Sequence, residues 1–255
     1  MIEEAVQLET YLPLSYRTPK ERDYIRFLWD AFNSNVEHGK YQFAFLAYHM
    51  LVMSFVYFNI WQIRLIRPGP FETAMIGFNK EVEKDLMNAT SPFVFSAVNE
   101  RSVLRFLKLI QCDNAKIGTY AKLVDERNDT AHANGNIFFN SEDELARKVR
   151  DVLRTVEEIQ RHSAPAIGEG YKAFLIASQD PEEREYTDDA QQIEEVLVKS
   201  STCRPVISLF AATTISADWR ANPVSLRSRL CTRGLPICAL RKRRPRPHEL
   251  ALLHR

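Results

Sequence analysis

One stretch limits the possible folds of this chain more than any other: residues 41–63 contain no charged side chain. A transmembrane helix needs roughly 20 mostly apolar residues, so the length alone fits a membrane span. Polar side chains interrupt the stretch, however, and no second stretch of this kind exists. Those side chains are Gln42, His49, Ser54, Asn59 and Gln62. We therefore predict a helix buried on all sides at the centre of a bundle, with His49 as a hydrogen-bonded core residue.

The sequence before this stretch predicts an amphipathic helix. Thr18 can cap it, Pro19 suits its first position, Glu21 completes a capping box, and Gly39 ends it. Its apolar residues recur at the spacing of one buried helix face. They are Ile25, Leu28, Trp29, Phe32 and Val36.

The sequence after the stretch also predicts helices. One helix is expected after Pro68-Gly69-Pro70, and an apolar stripe follows Ser91-Pro92. Ser141 and Glu144 form a second capping box before a strongly amphipathic helix. Shorter helical patches are expected at about 167–178 and 181–199. The helix after Pro70 presents Phe71, Met75, Phe78 and Val82, and the later stripe presents Val103, Phe106, Leu107 and Ile110. With eight glycines and no regularly spaced turns between alternating runs, we predict an all-α helical bundle over residues 1–200.

The chain from residue 201 onward has a different composition. Residues 201–255 contain ten Arg and one Lys against Asp218 and Glu249, a net charge of +9; the remaining 23 basic and 31 acidic residues give residues 1–200 a net charge of −8. Three interpretations stay open for this Pro- and Arg-rich segment: a tail that attracts nucleic acid, a disordered solvated tail, or an out-of-frame extension of a truncated domain.

The termini and cysteines bear on the compartment. The acidic start Met-Ile-Glu-Glu-Ala lacks the features of a secretory leader or transit peptide. The spacings of Cys112, Cys203, Cys231 and Cys238 fit neither a zinc site nor a disulfide framework. We predict a cytoplasmic protein.

The stretch with the greatest chemical potential is 120–136, which holds Arg127, Asn128 and His132. Asp113 can cap the helix that carries them, and Asn134-Gly135 is a stop signal. On an ideal helix Asn128 falls in the middle of the packed face, while Arg127 and His132 fall on its two shoulders, about 140° apart. Two such side chains do not meet on their own helix. They can both reach a groove shared with a neighbouring element or a second copy, and a twofold dimer would supply such a groove.

These three side chains suit RNA cleavage without a metal ion. The arginine fork matches phosphate oxygens and can stabilise a pentacoordinate transition state. A histidine can remove the proton of a 2′-hydroxyl or protonate a 5′-oxygen leaving group, and Asn128 can hold the arginine or contact the phosphate. The simpler alternative is that Arg127 pairs with a carboxylate of a neighbouring helix, with Glu126 and Asp129 as solvated charges.

The segment Arg-Asn-Asp-Thr-Ala-His (127–132) resembles the Arg-x4-6-His signature of the HEPN (higher eukaryote and prokaryote nucleotide-binding) superfamily. The helical context over roughly residues 18–162 is similar too. The resemblance implies a dimeric, metal-independent endoribonuclease with Arg127 and His132 as catalytic residues and Asn128 as an assistant. It also implies a toxin or defence effector restrained by an antitoxin or other inhibitor protein.

Two other interpretations stay open. The chain is alternatively a non-catalytic helical module that binds RNA, a nucleotide or a partner protein, or a membrane-associated protein anchored through residues 41–63. Gly-rich phosphate loops, Gly-x-Ser-x-Gly elbows and His-Glu-x-x-His spacings are absent from the sequence. We therefore expect no cofactor and no bound metal.

Overall fold

The structure is a computed structural model that describes residues 2–132 and 135–198. Within these ranges every regular element is helical, which confirms the all-α prediction. The α-helices are α1 (Glu3–Val6), α2 (Pro19–Glu37), α3 (Tyr41–Ile66), α4 (Pro68–Ala74), α5 (Lys80–Asn88), α6 (Glu100–Arg105), α7 (Asn114–Ala131), α8 (Glu142–Gln179) and α9 (Asp189–Gln192). Short 3₁₀ segments cover Gln7–Tyr11, Pro92–Ala97 and Phe106–Ile110, and a π-helical turn covers Ile193–Val198. The predicted basic tail, 201–255, lies outside the described residues.

Helix α3 is the central element of the bundle. It packs mainly against α2 and α8, with α7 and the Pro92–Ala97 segment against its remaining faces. Among the described helices it is the one long and apolar enough to cross a membrane, and 83% of its most apolar window is buried inside the protein. The prediction of a buried central helix is confirmed.

Helix α2 begins and ends at the residues that the sequence predicts. The Thr18 hydroxyl accepts a hydrogen bond from the Glu21 N–H at 3.3 Å, and the Glu21 carboxylate accepts one from the Arg17 N–H at 3.1 Å. Gly39 takes a positive φ of 66° just beyond the other end. There the Lys40 N–H donates to the Asn35 carbonyl at 2.7 Å, which completes a Schellman motif.

The prediction of one continuous helix after Pro70 is wrong. The chain forms α4 and α5 with a turn between them, and Gly77 in that turn has a φ of 99°. The Asn79 side chain then caps α5 by accepting a hydrogen bond from the Val82 N–H at 2.8 Å. A positive φ and a new cap interrupt the helical pattern that the apolar spacing suggested.

The boundary predicted within residues 142–178 is also wrong. Helix α8 runs without a break from Glu142 to Gln179 and includes Pro165. Proline inside a helix costs about 3 kcal/mol. Ala166, Ile167 and Tyr171 are buried beyond it, and their burial offsets that cost.

The helix predicted over 181–199 is shorter than expected. Residues 181–183 form a turn, and helical structure resumes at α9 and continues through the π-helical turn to Val198. The side chain of Asp180 accepts a hydrogen bond from the Glu182 N–H at 2.9 Å, and Asp188 accepts one from the Gln191 N–H at 2.9 Å. These local bonds favour turns over a continuous helix.

Candidate functional site

Helix α7 carries the predicted motif and is held at its start by a cap. The Asp113 carboxylate accepts a hydrogen bond from the Lys116 N–H at 2.8 Å, as the sequence predicts. Ile117, Tyr120 and Val124 are buried on the predicted packed face. Ala131, which helical spacing places on the same side, is exposed. The helix packs firmly over its first three turns, and in its last turn Thr130 is buried whereas Ala131 is exposed.

Arg127 and Asn128 open onto a cleft of about 1130 Å³. The cleft lies between the start of α2, the middle of α3, the segment around Pro92–Ala97, the start of α6 and the side of α7 that carries Val124, Arg127 and Asn128. Its lining includes Lys20, Glu21, Tyr24, Met50, Tyr57, Ser91, Phe93, Glu100, Arg101, Arg127 and Asn128. Both motif residues are half-buried, so they form part of the wall and remain within reach of a ligand.

Arg127 pairs with a carboxylate that the motif does not contain. Its Nη2 donates to Oε1 of Glu100 at 2.7 Å, and Oε2 of the same carboxylate lies 3.0 Å from Nε2 of His49. His49 is 4% exposed, whereas the Arg127 side chain is 32% exposed. The buried His49 of α3 thus fixes the Glu100 carboxylate, and this carboxylate in turn fixes the Arg127 guanidinium. This contact also confirms His49 as a hydrogen-bonded core residue.

The environment of Glu100 keeps its carboxyl ionised. Burial by itself raises the pKa of Glu100, but the hydrogen bonds and electrostatic interactions with His49 and Arg127 outweigh burial and leave the pKa below its usual value. The neighbouring Tyr57 phenol has its pKa raised to about 12, chiefly by burial and then by the charge of Glu100. Glu100 is therefore a fixed negative charge beside Arg127, and Tyr57 is a neutral hydroxyl beside both.

His132 lies at the end of α7 and outside the cleft lining. The helix was predicted to continue to Asn134-Gly135, but it ends at Ala131, and His132 is its exposed C-cap in an extended conformation (φ −82°, ψ 146°). A contact from α3 is made at this helix end. The Gln42 amide donates to the Thr130 carbonyl at 2.7 Å and so satisfies a carbonyl that would otherwise bond the next helical turn.

The chain beyond His132 returns to α3 through the same glutamine. Oε1 of Gln42 accepts a hydrogen bond from the Phe138 N–H at 3.2 Å. The next residue, Phe139, has a positive φ of 59° and packs its ring 4.8 Å from that of Phe45. A non-glycine residue in this conformation is strained and persists when its surroundings enforce it. Both flanks of His132 are consequently tied to the start of α3.

Two further acidic residues of the stretch 120–136, Glu126 and Asp129, are absent from the lining of the cleft. Glu126 forms an ion pair with Lys148 of α8, and Asp129 is exposed. Beside them, Asp125 forms an ion pair with Arg101, which is a cleft-lining residue. None of these contacts adds a catalytic group to Arg127 and Asn128.

Within residues 2–132 and 135–198, no group of three or more His, Cys, Asp or Glu side chains is arranged to hold a metal ion. Cys112 is a buried free thiol, and burial raises its pKa to about 11. The predictions of metal-independent and cofactor-independent chemistry stay predictions.

Sequence reasoning placed Arg127 and His132 at a groove and Asn128 on the packed face, whereas Arg127 and Asn128 line the cleft and His132 does not. It also missed Glu100. Glu100 lies 27 residues before Arg127 and is the first residue of α6, a position where an acidic residue is favoured by the helix dipole alone. The simpler alternative, in which Arg127 pairs with a carboxylate of a neighbouring helix, correctly describes this contact.

Comparison of the chain with family models, with curated proteins and with solved structures finds no match.

Proposed function

We propose that this protein is a metal-independent endoribonuclease of the HEPN type that cleaves RNA through Arg127, Asn128 and His132. The observation that best supports the proposal is the position of Arg127 and Asn128, side by side on the wall of a cleft with volume for more than one nucleotide. The Arg127 side chain is partly open to this cleft. Its planar donors match the oxygens of a phosphodiester.

In this proposal Arg127 and Asn128 bind the scissile phosphate. The 2′-hydroxyl oxygen attacks phosphorus, the bond to the 5′-oxygen breaks, and a 2′,3′-cyclic phosphate and a 5′-hydroxyl form. His132 either accepts the proton of the 2′-hydroxyl or donates a proton to the departing 5′-oxygen. Arg127 stabilises the charge that develops on the non-bridging oxygens.

The position of His132 supports a site shared by two copies of the chain. Within one copy His132 is exposed at the end of α7 and is absent from the lining of the cleft that Arg127 faces. In a twofold homodimer, the His132 of one copy can complete the cleft of the other.

Purified protein and a labelled RNA, incubated with EDTA, test the proposal. We expect wild type to cleave and to leave 2′,3′-cyclic phosphate ends, and we expect Arg127→Ala and His132→Ala each to lower the rate by about 100-fold or more. Lys122→Ala, on the exposed side of the same helix, is the matched control and should retain the wild-type rate. Undiminished cleavage by His132→Ala would refute the mechanism.

A second candidate is a non-catalytic module that binds RNA, a nucleotide or a partner protein in the same cleft. It is favoured by the ion pair of Arg127 with Glu100 and by the absence of His132 from the cleft lining. A folded dimer that binds RNA but leaves it intact, equally in wild type and His132→Ala, would support this candidate over the nuclease.

From the resemblance we also propose that the nuclease is a cytoplasmic toxin or defence effector restrained by an inhibitor protein. Expression in a bacterial host should then arrest growth and degrade RNA with wild type but not with Arg127→Ala. Full growth with wild type, at an expression level where purified protein is active, would contradict this role.

A further inference from the structure

The cleft has two chemically different ends. The polar end is formed by Glu100, Arg101, Arg127 and Asn128, and the aromatic end by Tyr24, Met50 and Phe93. Tyr57 of α3 connects them, because its phenol interacts electrostatically with Glu100 and Arg127 and also with Tyr24. Phosphate binding at the polar end assigns no role to the residues of the aromatic end.

The aromatic end exposes apolar groups in a fixed arrangement. Tyr24 is 39% exposed and Met50 is 41% exposed. The Tyr24 ring packs at right angles to that of Phe93, with centroids 5.1 Å apart and planes at 84°, and its hydroxyl lies 4.0 Å from Sδ of Met50. An exposed ring that its neighbours already orient costs little conformational entropy when it binds a flat ligand.

The cleft lining has one more cation than carboxylate. The cations are Lys20, Arg101 and Arg127, and the carboxylates are Glu21 and Glu100. Arg127 is paired with Glu100 and Arg101 with Asp125, and an anionic ligand would compete for these two arginines. The Glu100 carboxylate is occupied by His49 and Arg127. A ligand that satisfies both ends carries a negative charge and a flat aromatic group, as a nucleotide does.

Glu21 is likewise engaged inside the protein. Its side chain is 2% exposed, and its Oε1 accepts a hydrogen bond from the Ser91 hydroxyl at 2.7 Å, while Oε2 accepts one from the Arg17 N–H. The oxygens of both carboxylates are therefore already hydrogen-bonded within the protein.

We propose that Tyr24 and Met50 form a nucleobase subsite, on which the base next to the phosphate at Arg127 stacks. The proposal rests on the proposed function, since it assigns the second half of the same substrate. Stacking requires a base that is free of its pairing partner. Because every base has an aromatic face, the subsite tolerates different bases.

Binding of a 2′-O-methyl RNA oligonucleotide to the full-length protein tests this subsite. The probe lacks a free 2′-hydroxyl and cannot be cleaved by the proposed route. We expect Tyr24→Ala to weaken binding about tenfold or more, in line with stacking on one aromatic ring. Tyr24→Phe keeps the ring and should bind as wild type does. Phe27→Ala removes an exposed aromatic residue of the same helix that lies outside the cleft, and it should also bind normally.

A second set of probes, each with an abasic ribose at one position, distinguishes loss of the stacking contact from a folding defect in Tyr24→Ala. One position should weaken binding to wild type and have little effect on binding to Tyr24→Ala, because the base and the ring make one shared contact. Equal affinities of wild type and Tyr24→Ala for the oligonucleotide overturn the subsite and leave the nuclease proposal intact. Equal losses for Tyr24→Phe and Tyr24→Ala overturn stacking. Failure of all variants and wild type to bind RNA overturns both proposals.

Discussion

Glu100 controls the position of Arg127, because one carboxylate oxygen bonds the arginine and the other bonds His49. The sequence was sufficient to predict that Arg127 faces a groove, since helical spacing relates residues of one helix to each other. The same spacing placed His132 at that groove and Asn128 on the packed face, and the cleft instead contains Arg127 and Asn128. The sequence was insufficient to predict Glu100, because no local pattern relates α6 to α7. Long-range contacts of this kind depend on the packing of short elements whose boundaries the sequence specifies poorly.

We predict that Glu100→Gln lowers the free energy of unfolding by about 1–3 kcal/mol at neutral pH, because the substitution leaves Arg127 without its ionised partner. The folded-state pKa of Glu100 lies below the ordinary value of 4.5. Its ionisation therefore stabilises the fold above about pH 4.5, and this contribution is lost as the pH falls through the folded-state pKa.

Urea unfolding of wild type and Glu100→Gln at pH 7 and at about pH 4 measures this effect, with a smaller difference expected at the lower pH. Asp151→Asn, which removes an exposed pair with Arg154, is the control and should change stability by less than about 1 kcal/mol. A difference between wild type and Glu100→Gln that grows on acidification would contradict the assignment of an ionised Glu100.

At the scale of elements, the end of α7 decides where His132 lies. The start of this helix was predictable from the Asp113 cap, but its end was not. The stop signal at Gly135 suggested a longer helix, whereas a side chain from α3 ends it at Ala131. A local signal fixes a helix end when the chain itself satisfies the last carbonyls, and here Gln42 satisfies one of them from a distance.

We predict that Gln42→Ala impairs cleavage more than binding. The change removes the hydrogen bonds to the Thr130 carbonyl and from the Phe138 N–H, and so frees both flanks of His132. A displacement of about 1 Å in a catalytic group can cost 100-fold in rate, so we expect a loss of about 10–100-fold in kcat for RNA cleavage. RNA affinity should change little, since Arg127 and Asn128 stay in the cleft wall.

The control for Gln42→Ala is Asn35→Ala, whose amide donates within α2 to the Ala31 carbonyl at 2.7 Å. Asn35→Ala removes a partly buried hydrogen bond that does not involve α7, and it should keep the wild-type kcat. Equal rates for wild type and Gln42→Ala would show that the end of α7 needs no support from α3.

At the scale of the whole molecule, the uncharged stretch was the most informative part of the sequence. It predicted a buried central helix, and α3 is that helix, with 83% of its most apolar window buried and Met50 exposed at the cleft. The sequence was less informative for residues 68–112, which divide into α4, α5, α6 and two 3₁₀ segments. Short elements take their shape from tertiary packing more than from their own periodicity. That region supplies Glu100, Arg101 and Phe93, and this is why much of the cleft was not foreseen.

The proposed shared active site also belongs to the scale of the whole molecule, since it needs two copies of the chain. Mixed dimers of Arg127→Ala and His132→Ala, prepared by unfolding and refolding the two variants together, test it directly. Each variant alone should be inactive. In the mixture about half of the dimers contain one copy of each variant, and each such dimer has one intact site out of two, so about a quarter of the wild-type activity should return. Recovery to that level would establish a ribonuclease in which Arg127 and His132 act across a dimer, whereas an inactive mixture of well-folded dimers would contradict the shared site.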